Sequence, residues 1–319
     1  MTITHGGAIH LAAERRGVPL TQILDFSASI NPLGPPPGVK PAIVAALDRI
    51  EHYPDPYSAM LTRKLAQFWK TDPDCILLGN GATDLIHFIA RCWPQSRTHL
   101  VVPTFSEFQR AWPKAHHVAL HERWPDDGLL VVTNPVNPTG ELVHIPGRFG
   151  PTLVDESFLP FTKASSSGNA LLRLRSLTKF YALPGLRIGA LLGPADTITD
   201  LKRVREPWQV NALAEAAMAA ALDDAEYADA TRRFVETEAL FLSSELARIP
   251  GVTVQKPAAN YIFARLSCPA RSLSEHMEQR NILIRVCTGW PGIEGEAVRV
   301  AVRTRAENLR LIESWKEFC

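Results

Sequence analysis

The sequence has 319 residues, which is long enough for one large domain and a smaller one. Hydrophobic residues make up 46% and charged residues 21%, as in an ordinary globular protein. The formal net charge of +1 and the scattered basic residues argue against nucleic acid or an anionic membrane surface as a partner.

Cysteine and histidine usage argues against disulfides and metals. The five cysteines are odd in number and form no C-x-x-C pair, which predicts free thiols in a reducing cytoplasm. The histidines form no H-E-x-x-H pattern, so we predict no metal site. No apolar run approaches the roughly 20 residues of a membrane helix, and the N-terminus does not have the pattern of a signal peptide.

The first 40 residues are rich in glycine and proline. An HGG motif at residues 5–7 precedes a short helical piece, a strand pattern at residues 23–28 and then a proline cluster that cannot lie inside a helix. This segment could be a surface arm. It also carries a polar set with the character of a site, formed by Ser27, Ser29 and Asn31.

In residues 41–92 the sequence pattern predicts helices before and after one short buried strand. A rigid turn, Tyr53-Pro54-Asp55-Pro56, separates a helix at residues 41–50 from another at residues 59–70. A strand at residues 75–78 then enters the turn GNGAT, residues 79–83, which opens a helix up to about Cys92.

The strand, glycine-rich turn and helix N-terminus form a candidate anion site, because free N–H groups and the helix dipole both favour a phosphate. Such a turn is more often a simple connection. Position 84 is Asp, so the G-x-G-x-x-G pattern is incomplete, and the lysine of a P-loop is missing. A single phosphomonoester therefore fits better than a nucleotide.

Polar residues follow the later strands, which we predict at residues 99–103, 117–120, 128–133, 152–154 and 171–175. Asn137, Asp155 and Lys179 each come at or after a strand end. In an open α/β sheet the carboxyl ends of the strands face the ligand crevice. An acid at such a strand end is usually a helix cap, and a lone lysine is usually a surface charge. The prediction of a ligand site therefore rests on the combination of these residues.

Lys179 lies in an unusually polar stretch. Ser176 and Thr178 precede it, and Arg187 follows one loop later. An amine among hydroxyls and a guanidinium suits a phosphorylated carbonyl cofactor: the amine attacks the carbonyl, and the other groups bind the phosphate.

The pattern of predicted helices and strands changes after Gly193. Long helical patterns at residues 196–204, 212–222 and 226–249 lead into an α+β alternation, which includes a predicted strand at residues 282–286 and ends in a helix at residues 305–318. We expect an α/β fold with a large domain over residues 41–215, built on a mainly parallel central sheet. Residues 1–40 and 216–319 should form a smaller α+β domain.

Four segments occur in order: GNGATDLI, NPVNPTG, LVDESF and SLTKFYALPGLRIG. Together they resemble the fold-type I pyridoxal 5'-phosphate (PLP) enzymes of the class I/II aminotransferase family, over most of the chain. This resemblance implies that Lys179 and Asp155 are catalytic, with Lys179 bound covalently to PLP and Asp155 keeping the ring nitrogen protonated. It implies further cofactor contacts by Ala82, Thr83, Phe105, Asn137, Ser176, Thr178 and Arg187.

Two aromatic positions have consequences for the site. The resemblance implies that Tyr53 reaches the cofactor phosphate of a neighbouring subunit, and therefore a homodimer with shared active sites. Phe158 stands where many family members have a tyrosine that hydrogen-bonds the ring hydroxyl. Without that donor, the cofactor-bound nitrogen of Lys179 should be more basic.

The N-terminal HGG, the segment DFSASINPLGPP and the turn YPDP are similar to the threonine-phosphate decarboxylase branch of cobalamin biosynthesis. The alternative, histidinol-phosphate aminotransferase, shares YPD and the C-terminal VRVAVRTRAEN but does not normally open with HGG. The branch implies conversion of L-threonine O-3-phosphate, a small phosphorylated amino acid, to (R)-1-amino-2-propanol O-2-phosphate.

Four residues are candidates for substrate binding. Arg299 matches the family's carboxylate-binding arginine, although a strand-surface charge is the plainer interpretation. Arg285 and His5 are candidates for the substrate phosphate, or equally structural residues, and Asn31 belongs to the polar N-terminal set. A PLP-fold regulator would need an added DNA-binding domain, and a nucleotide-binding module would need a better glycine motif.

Overall fold

The computed structural model describes residues 6–147, 150–166 and 168–319. His5 lies outside the described residues. The strands, numbered along the chain, are β1 Leu24–Asp25, β2 Ile76–Gly79, β3 Thr98–Val102, β4 His116–Ala119, β5 Leu129–Thr133, β6 Thr152–Asp155, β7 Leu172–Ser176, β8 Gly189–Leu192, β9 Val252–Val254, β10 Tyr261–Leu266, β11 Ile282–Leu283, β12 Arg285–Val286 and β13 Glu296–Ala301.

The α-helices of the described residues are numbered along the chain in the same way. They are α1 Ile9–Arg16, α2 Val39–Ala45, α3 Ala59–Trp69, α4 Gly81–Cys92, α5 Ser106–Ala111, α6 Leu177–Phe180, α7 Ala195–Arg203, α8 Ala212–Ala221, α9 Tyr227–Leu246, α10 Ala270–Gln279 and α11 Arg305–Phe318. Within the described ranges, no helix is both long and apolar enough to cross a bilayer.

A seven-stranded sheet forms the centre of the fold, in the order β2-β8-β7-β6-β5-β3-β4. All its pairings are parallel except the two made by β8, which runs antiparallel to both β2 and β7. The mainly parallel α/β sheet is as predicted, whereas β8 was not predicted. Apolar residues of β2, β3 and β5 to β8 pack under α4, α5 and α7 in one buried cluster. Alternate residues of β5, β6 and β8 belong to other buried clusters on the opposite face, so these three strands are buried along their whole length.

The C-terminal part of the chain builds a four-stranded sheet in the order β12-β13-β10-β9. Its core is a second cluster, formed with apolar residues of α9, α10 and α11. The predicted continuous strand at residues 282–286 is wrong, because β11 pairs with β1 while β12 pairs with β13 in a different sheet. The parallel pairing of β1 with β11 brings the N-terminal segment beside this C-terminal part.

Candidate active site

Adjacent strand ends bring most of the predicted site residues together. β5, β6 and β7 are neighbours and parallel, so their carboxyl ends open on one edge of the sheet. A cavity of about 650 Å³ lies there. The predicted residues that line it are Ala82, Thr83, Phe105, Asn137, Asp155, Ser176, Thr178, Lys179, Arg187, Arg285 and Arg299.

Lys179 lies on α6, the single helical turn that directly follows β7. Its Nζ lies 5.1 Å from the centroid of the Phe158 ring. Burial lowers the pKa of Lys179 to about 8; the charge of Asp155 opposes this change, and two nearby arginines add to it. An amine with this pKa is partly neutral near neutral pH, and only the neutral amine attacks a carbonyl.

Asp155 is the last residue of β6 and is buried. Its Oδ1 accepts a hydrogen bond from the Ser157 backbone N–H at 2.9 Å. Burial raises the pKa of Asp155, and the Lys179 charge and the Ser157 hydrogen bonds oppose that rise. A buried carboxylate is costly unless a cation pairs with it. The position therefore suits a cationic partner in the cavity.

The N-terminus of α4 approaches Arg187 as closely as it does because two glycines allow it. Gly81 has a φ of +83°, and a Cβ at this position would lie 2.5 Å from Arg187 Nη2. A Cβ on Gly189, the first residue of β8, would lie 2.7 Å from the backbone nitrogen of Ala82. These contacts join a helix N-terminus to a guanidinium, two kinds of group that bind phosphate.

Two hydroxyls complete this phosphate cradle. Ser176 Oγ and Thr178 Oγ1 lie 2.8 Å apart and are hydrogen-bonded to each other. Both side chains are buried and line the cavity. Each hydroxyl can turn its proton toward an added acceptor, so the pair suits a phosphate oxygen.

Arg299 is held on two sides. Its Nη1 donates to Asn137 Oδ1 at 2.6 Å, and its Nη2 donates to the backbone oxygen of Ser27 at 2.9 Å. The guanidinium carbon lies 5.2 Å from the centroid of the Tyr261 ring. Its Nε is buried and has no hydrogen-bond partner among the described residues. This fixed, partly unsatisfied guanidinium suits an anion such as a carboxylate.

Arg285 stands directly opposite Arg299 on the neighbouring antiparallel strand. Its guanidinium carbon lies 4.9 Å from the centroid of the Trp290 ring. Burial lowers the pKa of Arg285 to about 10, and the Arg299 charge adds to the decrease while Cys287 opposes it. Two like charges on facing residues are unfavourable by themselves. An anionic ligand in the cavity would relieve this repulsion.

The structure does not place Asn31 on the cavity wall, which corrects our prediction for this residue. Its side chain is 3% exposed. Its Nδ2 lies within 2.9 Å of three acceptors: the Phe180 backbone oxygen, the Tyr227 hydroxyl and Thr231 Oγ1. Asn31 thus supports the chain after Lys179 from behind, and its amide is fully used inside the protein.

Tyr53 lies away from the cavity and is 83% exposed. Its ring centroid is 5.1 Å from that of Trp208. Its predicted contact with a neighbouring subunit stays a prediction, as does the role of His5, which lies outside the described residues.

Several cavity residues were missed by sequence reasoning. Glu107 is buried and accepts a hydrogen bond from Arg110 Nη1 at 2.7 Å, and its other oxygen lies 2.9 Å from His87 Nε2. Glu107 follows the carboxyl end of β3, which was an available signal. Trp290 reaches the cavity from a loop between β12 and β13, and no pattern in the sequence indicated it.

The family model "Aminotransferase class I and II" matches residues 115–314. The chain belongs to this family, a class of PLP enzymes. A threonine-phosphate decarboxylase from Salmonella typhimurium is 35% identical over 343 residues, which cover 97% of this chain and 94% of that protein.

Other similar proteins include both an aminotransferase and a decarboxylase. A histidinol-phosphate aminotransferase from Roseiflexus castenholzii is 31% identical over 350 residues, which cover 96% of this chain and 92% of that protein. The crystal structure of L-threonine-O-3-phosphate decarboxylase from Porphyromonas gingivalis has a TM-score of 0.82 and 25% identity, covering 93% of this chain and 99% of that chain. The fold and the cofactor are therefore those of the family.

Proposed function

We propose that this chain catalyses the PLP-dependent decarboxylation of L-threonine O-3-phosphate. The products are CO2 and (R)-1-amino-2-propanol O-2-phosphate, as part of cobalamin biosynthesis. The observation that carries the proposal is the facing pair Arg285 and Arg299 in the cavity of Lys179. This substrate has two anionic groups and an amine, which match two guanidiniums and an amine-reactive site.

The residues of the cavity fit PLP. The cradle of Arg187, Ser176, Thr178 and the α4 N-terminus suits its phosphate, and the space that Gly81 leaves free keeps the cradle open. Buried Asp155 suits the protonated ring nitrogen, Asn137 the ring hydroxyl oxygen, and Phe105 a ring face. When bound, PLP supplies a sink for the electron pair left at Cα when a bond there breaks.

The arginine pair orients the substrate. Arg299 binds the carboxylate, because Asn137 and Ser27 already fix the plane of its guanidinium. Arg285 binds the phosphate from the adjacent strand. Holding the two ends of the substrate would limit rotation about the bonds at Cα, and this rotation would decide which of those bonds breaks.

Lys179 supplies the proton that completes the reaction. The carboxylate leaves as CO2, and the electron pair of the broken bond ends in a new C–H bond at Cα. Lys179 Nζ belongs to the same cavity and is the amine placed to deliver this proton.

A second candidate is transamination, as in histidinol-phosphate aminotransferase. The relative that is 31% identical supports it, and the same lysine, acid and arginine serve both reactions. Histidinol phosphate has no carboxylate for Arg299, although an amino-acid co-substrate does. The choice depends on one torsion angle of the bound substrate.

The test incubates the purified, PLP-loaded protein with L-threonine O-3-phosphate, with and without 2-oxoglutarate. We expect CO2 and the amino-propanol phosphate without any keto acid, and no product from a Lys179→Ala control. A parallel incubation contains histidinol phosphate and 2-oxoglutarate. Glutamate that forms only when histidinol phosphate is present would overturn the decarboxylase in favour of the transaminase. A protein that never acquires the yellow absorbance of bound PLP would refute both.

A homodimer with shared active sites belongs to the same proposal. Large exposed apolar side chains on and beside α2 and α3 support it: Val44, Ile50, Tyr53, Tyr57 and Met60. Mixed dimers of Tyr53→Ala and Lys179→Ala subunits contain one complete site, so part of the activity should return on mixing. No return would refute shared sites.

We also propose the division into a large domain at residues 41–215 and a small one from residues 1–40 and 216–319. The β1–β11 pairing supports it. A cytoplasmic location is supported by the five cysteines, which are all free.

A further inference from the structure

The N-terminal glycines Gly6 and Gly7 pack against the segment around Ser27, a buried serine. Gly6 and Gly7 both line the cavity. The Gly7 N–H donates to Ser27 Oγ at 2.9 Å. A Cβ on Gly6 would lie 2.2 Å from the Ser27 backbone oxygen and 2.7 Å from its carbonyl carbon. Only glycine at position 6 allows this segment to pack so closely against Ser27.

Every polar atom of Ser27 is engaged. Its N–H and its hydroxyl both donate to Asp25 Oδ1, at 2.8 and 2.5 Å. The hydroxyl accepts from Gly7, and the backbone oxygen accepts from Arg299 Nη2 at 2.9 Å. Ser27 is 5% exposed, so these bonds are not shared with bulk water. One residue therefore connects the N-terminal segment to the guanidinium of Arg299.

We propose that Ser27 is a positioning residue for Arg299, and that packing of Gly6 and Gly7 against it sets the plane of that guanidinium. The inference rests on the proposed function, in which Arg299 binds the substrate carboxylate. Asn137 fixes one Nη of Arg299 and Ser27 fixes the other, so a shift of the Ser27 carbonyl turns the guanidinium. The substrate carboxylate that Arg299 binds turns with the guanidinium. The glycine motif thus acts on the group that leaves as CO2.

The experiment compares two ligands that differ by the carboxylate. KM is measured for L-threonine O-3-phosphate, and calorimetry gives the Kd of (R)-1-amino-2-propanol O-2-phosphate, both with the PLP-loaded enzyme. We expect Gly6→Ala to raise the KM about tenfold and to leave the product Kd within about twofold, since one charge-assisted hydrogen bond is disturbed. Ser27→Ala, which keeps the carbonyl, should show the same selectivity with a smaller change.

Gly38→Ala is the matched control, because a Cβ there meets nothing within 4 Å and its φ is −70°. It should change neither constant. A second test places Gly6→Ala in an Arg299→Gln background, where it should have no further effect on KM. Thermal melting checks that each variant is folded.

Equal weakening of both ligands by Gly6→Ala, or no effect on either, would overturn the positioning role. A full effect of Gly6→Ala on KM in the Arg299→Gln background would also overturn it. If the wild-type enzyme neither binds nor decarboxylates L-threonine O-3-phosphate, the proposed function fails instead. The positioning role is then tested with 2-oxoglutarate, whose KM in transamination should rise in Gly6→Ala by the same factor.

Discussion

Arg285 and Arg299 are direct neighbours across the antiparallel pair β12 and β13, and both line the cavity of Lys179. The assignment of one arginine to each anion of the substrate predicts different losses. Arg285→Gln should raise the KM for L-threonine O-3-phosphate at least tenfold but leave weak binding of L-threonine unchanged. Arg299→Gln should weaken the binding of both. Steady-state kinetics and competition by L-threonine measure this difference, and the reverse pattern would exchange the two roles.

Gly81 keeps the phosphate cradle open. In Gly81→Ala, the new Cβ would meet the Arg187 guanidinium at 2.5 Å, and the φ of +83° is unfavourable for alanine. We expect the Kd for PLP to rise at least about tenfold, since a charge-assisted contact is lost. Absorbance titration of the cofactor-free protein measures it. Gly38→Ala should bind PLP like the wild type, and equal affinity of both variants would contradict the cradle.

The lowered pKa of Lys179 predicts how the cofactor-free protein responds to pH. The pKa falls from 10.5 in the unfolded chain to about 8 in the fold. Between these values the unfolded chain binds more protons, so the free energy of unfolding should rise with pH relative to Lys179→Met. The contribution of Lys179 to the free energy of unfolding is complete above pH 10.5 and is lost as the pH falls through about 8. It amounts to roughly 3 kcal/mol. Urea unfolding at pH 7.5 and 10 tests it; a pH-independent difference would contradict it.

Phe158 places a ring without a hydroxyl beside Lys179 Nζ, 5.1 Å from the ring centroid. Phe158→Tyr adds a donor on the cavity wall. We expect the pKa of the cofactor-bound Lys179 nitrogen to fall by about one unit, because a hydrogen bond to the neutral form disfavours protonation. A pH titration of the cofactor absorbance measures it. Phe161→Tyr, whose ring packs against Phe158 but does not line the cavity, is the control and should leave that pKa unchanged.

Asn31 should behave as a structural residue. Asn31→Ala leaves the Tyr227 hydroxyl and the Phe180 backbone oxygen without this donor, which should lower the free energy of unfolding by about 1–3 kcal/mol. KM for the substrate should stay near its wild-type value. Chemical denaturation and kinetics on the same preparation decide this, and a raised KM with unchanged stability would return Asn31 to the substrate site.

Much of the active site was predictable from the sequence because it lies at strand ends. Asn137, Asp155 and Lys179 each follow an apolar run, and adjacent parallel strands open on one edge. Local chemistry does not indicate how distant segments pair. β8 was missed and residues 282–286 were predicted as one strand, since short apolar runs do not reveal their sheet partners.

By itself, the sequence determined the fold class, the cofactor chemistry and most of the residues around Lys179, since these depend on local patterns and on motifs in order. Only the tertiary structure decided that Arg285 faces Arg299, that Asn31 turns inward, and that Gly6 packs on Ser27. Each of these depends on a contact between segments far apart in the chain. Such contacts are set by sheet register and close packing, and neither can be read from local residue order.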